Sequence, residues 1–492
     1  MRRPRKPTPP TTEAIDQFCA AFDDLFARYE ERRALRQYLI GLLLPREHNK
    51  MLVELAGIVP GANRQALHHF LHDAPWDAEA LNRRRLERWQ AHPYLGPHAG
   101  GVLIIDETGD PKRGHRIVLA AQQYLGKLGH VANGVVAVTS HWADGSRHVP
   151  LGVKPYRPAS RLPKGRTDPA FHTKPALAWQ LIEEARAAGI PFRLVVADSV
   201  YGENLTLEAQ LYAAQIPYIM GLRPSHGTWQ VVDDPQHPPA FTPAEAAARL
   251  PLEAWERTVR FDSHGKELVR YIAELELGPS YGPTKSTRLI AATLDPQLLK
   301  PESTWYLATS LPLAEVSAEQ VYEIYRLRDW IEHYYKPVKH ELGWADYQVR
   351  PERAIVRHWQ LVMLAYTFSL VVGALPQGEE TMHALPAPTA SATDDTDDTD
   401  APGSGSAGGK IRASNGRRGA HRVERDVAPS ARVALPLGSA AALLETLVER
   451  RPTARAGRAP RPRRPFPPTR GSYLTNQRLA AARQRALARV AP

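Results

Sequence analysis

Two aspartates stand at the ends of apolar runs, where a charged side chain could do chemistry. Asp106 ends the run VLIID and Asp198 ends the run LVVAD. A strand-end aspartate is often only a turn former or a helix cap. Both of these follow four-residue apolar runs typical of central strands, where a charge is unfavourable unless it is paired or bound to a metal. We therefore treat the two aspartates as candidate catalytic residues.

A third carboxylate lies in the stretch YRLRDWIEHYYKPVKHELG, which begins at Tyr325. At about 100° per residue, Tyr325, Arg328, Glu332 and Lys339 fall within roughly a 60° arc of one helix face. The simplest explanation is an ion pair between Arg328 and Glu332 one turn apart, which leaves Tyr325 and Lys339 unexplained. Pro337 should kink or interrupt the helix just before Lys339.

The carboxylates of Asp106, Asp198 and Glu332 would come from two strands and one helix. Such a set could hold two Mg²⁺ ions about 4 Å apart, and we expect Mn²⁺ to substitute. One ion would activate water or a 3′-hydroxyl, and the other would stabilise the leaving oxygen of a phosphodiester. Cationic neighbours on the helix would then bind phosphates of the strand being cut.

The hydrophobic pattern predicts a mixed α/β protein around these residues. Residues 13–95 have helical spacing, and apolar β-branched runs from Gly100 onward alternate with helices up to about residue 222. Hairpin-like strands follow, then a long helix from about Ala314 to Gly343 and an apolar helix that we expect to be buried. The predicted domains are a helical N-terminal domain (1–97), an α/β core in two parts that would carry the candidate residues (98–222 and 311–375), a β-rich insertion (223–310), a disordered linker (376–436) and a basic tail (437–492).

The composition limits the class of protein. Cys19 is the only cysteine, which excludes disulfides and cysteine-based zinc sites within one chain and favours the cytoplasm. No run of about 18 apolar residues predicts a membrane span, and the N-terminus lacks the apolar segment of a secretory signal. The net charge is +11, but residues 450–492 hold 12 arginines and no acid, so the rest is nearly neutral. We expect this tail to bind DNA or RNA without sequence preference.

A helix near residue 85 also carries a cluster of positive charge. Its arginines are either a solvated helix face or a DNA contact, and charge alone does not decide between the two. The cluster consists of Arg83, Arg84, Arg85 and Arg88.

The chain resembles the DDE transposases of bacterial insertion sequences, most closely insertion-sequence family 701 of the insertion-sequence-4 clan. That clan has the signature Y-x2-R-x3-E-x6-K, and Tyr325, Arg328, Glu332 and Lys339 match it at every position. The resemblance extends through DETGDPKRG, QYLGKLGHVANGVVAV and the long segment that contains LVVADSVYG, and it covers about residues 14–375.

The resemblance implies an RNase H-like core broken by a β-rich insertion, with Asp106, Asp198 and Glu332 as the metal-binding catalytic triad. It also implies that Tyr325, Arg328 and Lys339 contact the transposon-end DNA. Trp305 stands where relatives that form a DNA hairpin stack a tryptophan on a flipped base, although a tryptophan on a strand is more often part of the core.

The implied reaction is cut-and-paste transposition of double-stranded DNA. Two chains would form a homodimer that pairs two element ends, and the N-terminal helices would recognise the terminal inverted repeats. The expected location is the bacterial cytoplasm, in association with the nucleoid. Two alternatives remain open from the residues: a transposase-derived DNA-binding protein that has lost transposition, and a structure-specific nuclease on the same RNase H-like core.

Overall fold

The computed structural model describes residues 13–45, 49–126, 128–226, 242–261, 267–277 and 287–373. The predicted linker and basic tail lie outside these residues.

Helices precede the sheet, as the spacing of apolar residues predicts. Several begin at residues that cap free backbone N–H groups: Oδ1 of Asn63 accepts from Gln65 at 2.8 Å, and Oδ1 of Asp77 accepts from Glu79 at 2.8 Å. The helices are α1 (Glu13–Ala20), α2 (Tyr29–Leu43), α3 (Leu52–Ile58), α4 (Arg64–His72) and α5 (Ala78–Gln90).

The arginine cluster lies on α5, and two of its members already have partners within the protein. Arg85 is fully buried and donates to Thr367 at 3.1 Å and to the carbonyl of Leu151 at 3.1 Å. Arg84 forms two hydrogen bonds of 2.9 Å with Asp24. These contacts attach α5 to its neighbours, so neither residue is a simple solvated charge.

The described strands form one mixed sheet. Its order is β2-β3-β1-β5-β6-β10-β9-β8-β7, with β4 paired to β3. β5 is parallel to both β1 and β6, and the other pairs are antiparallel. The strands are β1 (Val102–Pro111), β2 (Ala121–Leu125), β3 (His130–Ala143), β4 (His148–Pro155), β5 (Val195–Ala197), β6 (Tyr218–Leu222), β7 (Glu256–Phe261), β8 (Glu267–Leu277), β9 (Thr287–Thr293) and β10 (Thr304–Thr309).

The sequence pattern did not predict β4, because Pro150 lies inside it and proline is unfavourable within a central strand. The structure accommodates this proline at an irregularity in the pairing of β3 with β4. His141 pairs with Pro150 and Ser140 pairs with Gly152, so Leu151 is an extra residue on β4. Bulges of this kind are among the positions where a sheet tolerates proline.

The strands predicted as a β-rich insertion extend the core sheet. β10 pairs with β6 through Tyr306–Thr309, and β9, β8 and β7 follow in order. The mixed α/β architecture with preceding helices is therefore confirmed, while the domain limits remain a prediction.

The predicted long helix is divided in two. α10 and α11 are separated by a 3₁₀ turn at Arg326–Asp329, and α11 continues through Pro337 to His340. The predicted interruption at Pro337 is therefore wrong, and the irregularity lies earlier. The remaining helices are α6 (Lys174–Ala187), α7 (Ser199–Gly202), α8 (Leu205–Ala213), α9 (Pro243–Ala248), α10 (Ala318–Tyr325), α11 (Trp330–His340) and α12 (Glu352–Gly373).

The apolar helix α12 is buried, as the sequence predicts. It is long and apolar enough to cross a membrane, but its side chains lie in the protein core against α2, α5 and β4. Its apolar character is thus explained by packing.

Candidate active site

Asp106 and Asp198 lie side by side at the end of the parallel part of the sheet. Ile105 of β1 pairs with Ala197 of β5, and each aspartate is the next residue of its chain. Asp106 is 5% exposed, while Oδ1 of Asp198 accepts from the backbone N–H of Val200 at 3.0 Å and caps α7. The topology brings the two carboxylates together, and Asp198 also has the helix-capping role that we considered as an alternative.

One guanidinium nitrogen of Arg328 contacts both aspartates. Its Nη2 atom lies 3.3 Å from Oδ1 of Asp106 and 3.6 Å from Oδ2 of Asp198. The side chain therefore leaves its own helix for the sheet. Among the ion pairs of the described residues, Arg328 forms none with Glu332, so the simple explanation of their spacing does not hold.

The electrostatics of this cluster favour a bound cation. Burial raises the pKa of Asp106 to about 7, even though the guanidinium of Arg328 lowers it, and the charge of Asp198 adds to the rise. A carboxylate that is desolvated in this way is stabilised as an anion by any positive charge that reaches it.

Tyr325 closes the cluster on the side of β6. A Cβ atom on Gly221 would lie only 2.8 Å from the Tyr325 hydroxyl and 3.1 Å from the backbone nitrogen of Ser199. Glycine at this position therefore lets the phenol approach the strand beside Asp198. Burial raises the pKa of Tyr325 to about 12, so the phenol stays protonated and can donate a hydrogen bond.

Glu332 does not join the two aspartates in this structure. Its side chain is exposed and makes no hydrogen bond or ion pair with the side chains that the structure describes. The 3₁₀ turn at Arg326–Asp329 explains the difference, because each of its residues advances about 120° rather than about 100°. Four such residues rotate the following helix by roughly 80° relative to a continuous α-helix.

Lys339 lies at the other end of α11, against the end of β1. Its Nζ atom is 2.9 Å from Oδ1 of Asp110 and 3.3 Å from the carbonyl oxygen of Gly109. Asp110 is only 2% exposed, so this ion pair is largely removed from water. The contact holds α11 to the strand that carries Asp106, and the predicted DNA contact of Lys339 remains a prediction.

Trp305 is the exposed residue of an otherwise buried strand, with 37% of its surface accessible. Across the sheet, Asp198 is level with Gly221 and Leu307, and Trp305 lies two residues further toward the same edge. The guanidinium of Arg270 is 4.6 Å from the centre of its ring. Trp305 is therefore not a core residue, and it has an accessible ring surface.

Comparisons with known proteins identify the family of this chain. Residues 21–254 match the family model described as DDE superfamily endonuclease, and residues 169–368 match the Transposase DDE domain. A probable transposase for insertion sequence element IS701 from Microchaete diplosiphon is 32% identical over 354 residues, which is 71% of this chain and 85% of that protein. The chain belongs to the DDE transposases of insertion-sequence family 701.

The matched regions contain the predicted site of this transposase. The first model spans Asp106 and Asp198, and the second spans Asp198 and Glu332 together with the signature residues of α10 and α11. The part of the chain after residue 368 lies outside both models.

The donor set of the transposase partly fits a hard divalent cation. Asp106 and Asp198 supply carboxylate oxygens at one place, which is the donor type that Mg²⁺ prefers. Within the described part of the chain, no three histidine, cysteine, aspartate or glutamate side chains come together closely enough to hold a metal ion. A three-carboxylate site would require Glu332 to turn inward.

Some side chains around the site were not predicted. Oγ1 of Thr139 donates to the carbonyl oxygen of Asp106 at 3.3 Å and lies 2.5 Å from the hydroxyl of Tyr335 on α11. Glu107, which the strand period turns to the opposite face from Asp106, pairs with Lys174 of α6 at 2.6 Å. The sequence places Glu107 next to Asp106, Tyr335 on a predicted helix and Thr139 on a predicted strand, but these positions do not identify hydrogen-bond or ion-pair partners.

Proposed function

We propose that this transposase cuts the ends of its own element and joins them to target DNA through Asp106, Asp198 and Glu332. The observation that carries the proposal is the pair of aspartates that share the guanidinium of Arg328, with Asp106 in the middle of β1 and Asp198 directly after the end of β5. When bound there, two Mg²⁺ or Mn²⁺ ions would polarise the phosphate and lower the pKa of the attacking water.

Glu332 would complete the site by turning toward the aspartates when the DNA end is bound. It lies four residues after Arg328, whose side chain already reaches both carboxylates. Arg328 would then be the cation nearest to the scissile phosphate, with Tyr325 donating a hydrogen bond from the adjoining position and Lys339 binding a phosphate further along. Charge-assisted contacts of this type position the DNA without reading its sequence.

The assembly that we propose is a homodimer. Each chain would bind one terminal inverted repeat through its N-terminal helices, because both ends must be held together for joint insertion. Water would first nick the element end, and the released 3′-hydroxyl would then attack the opposite strand or the target. This cycle would take place in the cytoplasm, on the DNA of the nucleoid.

The test uses purified full-length protein and the DNA that flanks its own gene, with and without Mg²⁺. We expect divalent-dependent cleavage at the element ends by the wild-type protein. The variants Asp106→Asn, Asp198→Asn and Glu332→Gln should each lose cleavage and retain DNA binding, because these substitutions remove charge with little change in volume.

Glu341→Gln is the matched control, because Glu341 is an exposed glutamate at the end of the same helix α11. It should cleave at the wild-type rate. Full cleavage by Glu332→Gln would remove this residue from the site. Binding of the element end without cleavage under any divalent ion would favour a DNA-binding protein that has lost transposition.

A further inference from the structure

Part of the sheet continues past the two aspartates as a three-stranded projection. β1 extends five residues beyond Asp106, to Pro111, which pairs with Gly134 of β3. β2 pairs with β3 from Gly134 to His130, beyond the end of β1. We name residues 107–134 the β-arm. At about 3.3 Å per residue, β1 alone reaches about 16 Å past Asp106.

The β-arm is held firmly to the protein. Leu125 covers two glycines on the neighbouring strands, and a Cβ atom on Gly109 or Gly134 would lie 2.8 or 2.7 Å from its side chain. The loop between β1 and β2 is fixed by Arg161, which donates to the carbonyl of Ala120 at 2.6 Å and to that of His115 at 3.0 Å. The β-arm therefore presents a defined surface.

The charge of the β-arm beyond Asp110 has one sign, and its two acids, Glu107 and Asp110, form ion pairs with Lys174 and Lys339. No aspartate or glutamate occurs from residue 111 to residue 143. Arg113 and Arg116 are exposed in the loop after β1, and neither forms an ion pair with a residue that the structure describes. Exposed arginines that form no ion pair within the described part of the chain are available to bind a polyanion.

The β-arm also exposes apolar side chains. Tyr124 of β2 and Val131 of β3 are direct cross-strand partners, with 58% and 59% of their surfaces accessible. Leu128, in the turn between them, is exposed as well. β2 is an edge strand, and an exposed apolar edge favours association with another molecule.

We propose that the β-arm is a contact surface for the duplex DNA that enters the active site, with Arg113 and Arg116 on phosphates and Tyr124 and Val131 against a groove. The inference rests on the proposed function for its location, since the β-arm starts at the carboxylates that would cut the DNA. The basic charge of the β-arm beyond Asp110 favours DNA over a second protein chain, and apolar side chains beside basic ones are common where proteins meet the minor groove. At 3.4 Å per base pair, the loop after β1 would lie about five base pairs from the cut phosphate.

The test measures equilibrium binding of the full-length protein to a duplex that carries the element end, over a range of salt concentrations. The double variant Arg113→Ala/Arg116→Ala should reduce the magnitude of the slope of log K against log salt by about 2, because each phosphate contact contributes about 0.9. The matched control is Arg186→Ala/Arg249→Ala, which removes the same charge from exposed positions outside the β-arm and should leave the slope unchanged. Thermal unfolding of each variant confirms that the fold is retained.

A second variant separates the apolar contact from the charge. Tyr124→Ser/Val131→Ser should weaken binding about tenfold with the salt slope unchanged. Because Leu125, the neighbour of Tyr124, packs against Gly109, three residues from Asp106, the variant should remove protection from hydroxyl radicals about three base pairs from the cut site. An unchanged salt slope in the double arginine variant overturns the proposal. The proposal is also overturned if the Tyr124→Ser/Val131→Ser variant binds DNA normally but no longer self-associates in sedimentation. In that case the edge strand β2 would contact a second copy of the chain.

Failure of the proposed function can be distinguished from failure of the β-arm proposal. Binding does not require cleavage, so the salt slopes are measured equally well on Asp106→Asn. If the wild-type protein does not cleave the element ends, the proposed chemistry is contradicted. If the double arginine variant nevertheless has a smaller salt slope than the wild type, the β-arm contact is supported.

Discussion

The hydroxyl groups of Thr139 and Tyr335 lie 2.5 Å apart in the buried space behind Asp106. Thr139 donates to the carbonyl oxygen of Asp106, so it can accept from both the Tyr335 hydroxyl and Nε2–H of His141, which is 2.8 Å away. This assignment leaves Nδ1 of His141 as an acceptor, and that atom is buried without a hydrogen-bond partner. Helix α11 is thereby attached to the strand pair that carries Asp106.

Tyr335→Phe tests this attachment. The substitution removes one buried hydrogen bond, so we expect the free energy of unfolding in urea to fall by about 1 kcal/mol. End cleavage at saturating DNA should also slow, because the helix that carries Glu332 loses a contact beside Asp106. Tyr334→Phe is the matched control: its hydroxyl is buried without a hydrogen-bond partner, so removing it should be neutral or stabilising. Equal destabilisation by the two variants would contradict the assignment.

Lys339→Ala should destabilise the protein by roughly 3 kcal/mol, because it removes the cation 2.9 Å from the buried carboxylate of Asp110. Lys339→Met/Asp110→Asn, which removes both charges, should recover most of that loss. Both are measured by denaturant unfolding in the absence of DNA. If Lys339→Ala unfolds like the wild type and only weakens DNA binding, its main role is the predicted phosphate contact.

The stability of the protein should fall in mild acid because of His358. Burial lowers the pKa of this side chain to about 4, and its ring nitrogens lie 2.8 Å from the Tyr38 hydroxyl and 3.0 Å from the carbonyl oxygen of Gly343. The unfolded chain binds a proton near pH 6.5, whereas the folded protein does so only near pH 4. The stabilisation is therefore complete above pH 6.5 and is lost as the pH falls toward 4, by up to about 1.4 kcal/mol per pH unit.

The measurement compares unfolding free energies at several pH values for the wild type and His358→Gln. The difference between the two should shrink steadily between pH 6.5 and pH 4. His69→Gln replaces an exposed histidine and should follow the wild-type profile. A constant difference across this range would show that His358 does not titrate as described.

Trp305→Ala tests whether the exposed indole stacks on a base. The loss of one stacking contact should weaken binding of the cleaved element end by about 1–3 kcal/mol. Little change in unfolding is expected, since the ring is substantially exposed. Trp305→Phe should restore part of the affinity. If Trp305→Ala binds DNA normally but loses stability, the contact with Arg270 is structural.

The sequence was informative where local chemistry determines the structure. Asp106 and Asp198 followed apolar runs, and those runs are neighbouring parallel strands, so their meeting could be predicted. The orientation of Glu332 could not, because it depends on a 3₁₀ turn that the helical spacing does not reveal. Arg328 forms ion pairs with Asp106 and Asp198 and not with Glu332 of the neighbouring helix. This choice of partner could not be predicted either, because the two aspartates lie more than a hundred residues away in the chain.

Long-range packing limited the remaining predictions. Pro150 made β4 difficult to predict, because a proline within a strand requires a local irregularity such as the extra residue Leu151, and the sequence does not reveal that irregularity. Arg85 belonged to a basic cluster that suggested solvent or DNA, yet it is buried and donates hydrogen bonds to Thr367 of α12 and to Leu151 in the middle of β4. Hydrogen-bond partners of this type arise from the tertiary fold and leave no local pattern.

The pairing of β10 with β6 determines the geometry of any base held by Trp305. Two interstrand steps separate β10 from β5, which is about 10 Å at 4.8 Å per step. Backbone hydrogen bonds hold these strands at fixed spacing, so they set the distance between the indole of Trp305 and the candidate catalytic aspartates. A stacked base would therefore fix which phosphate is cleaved.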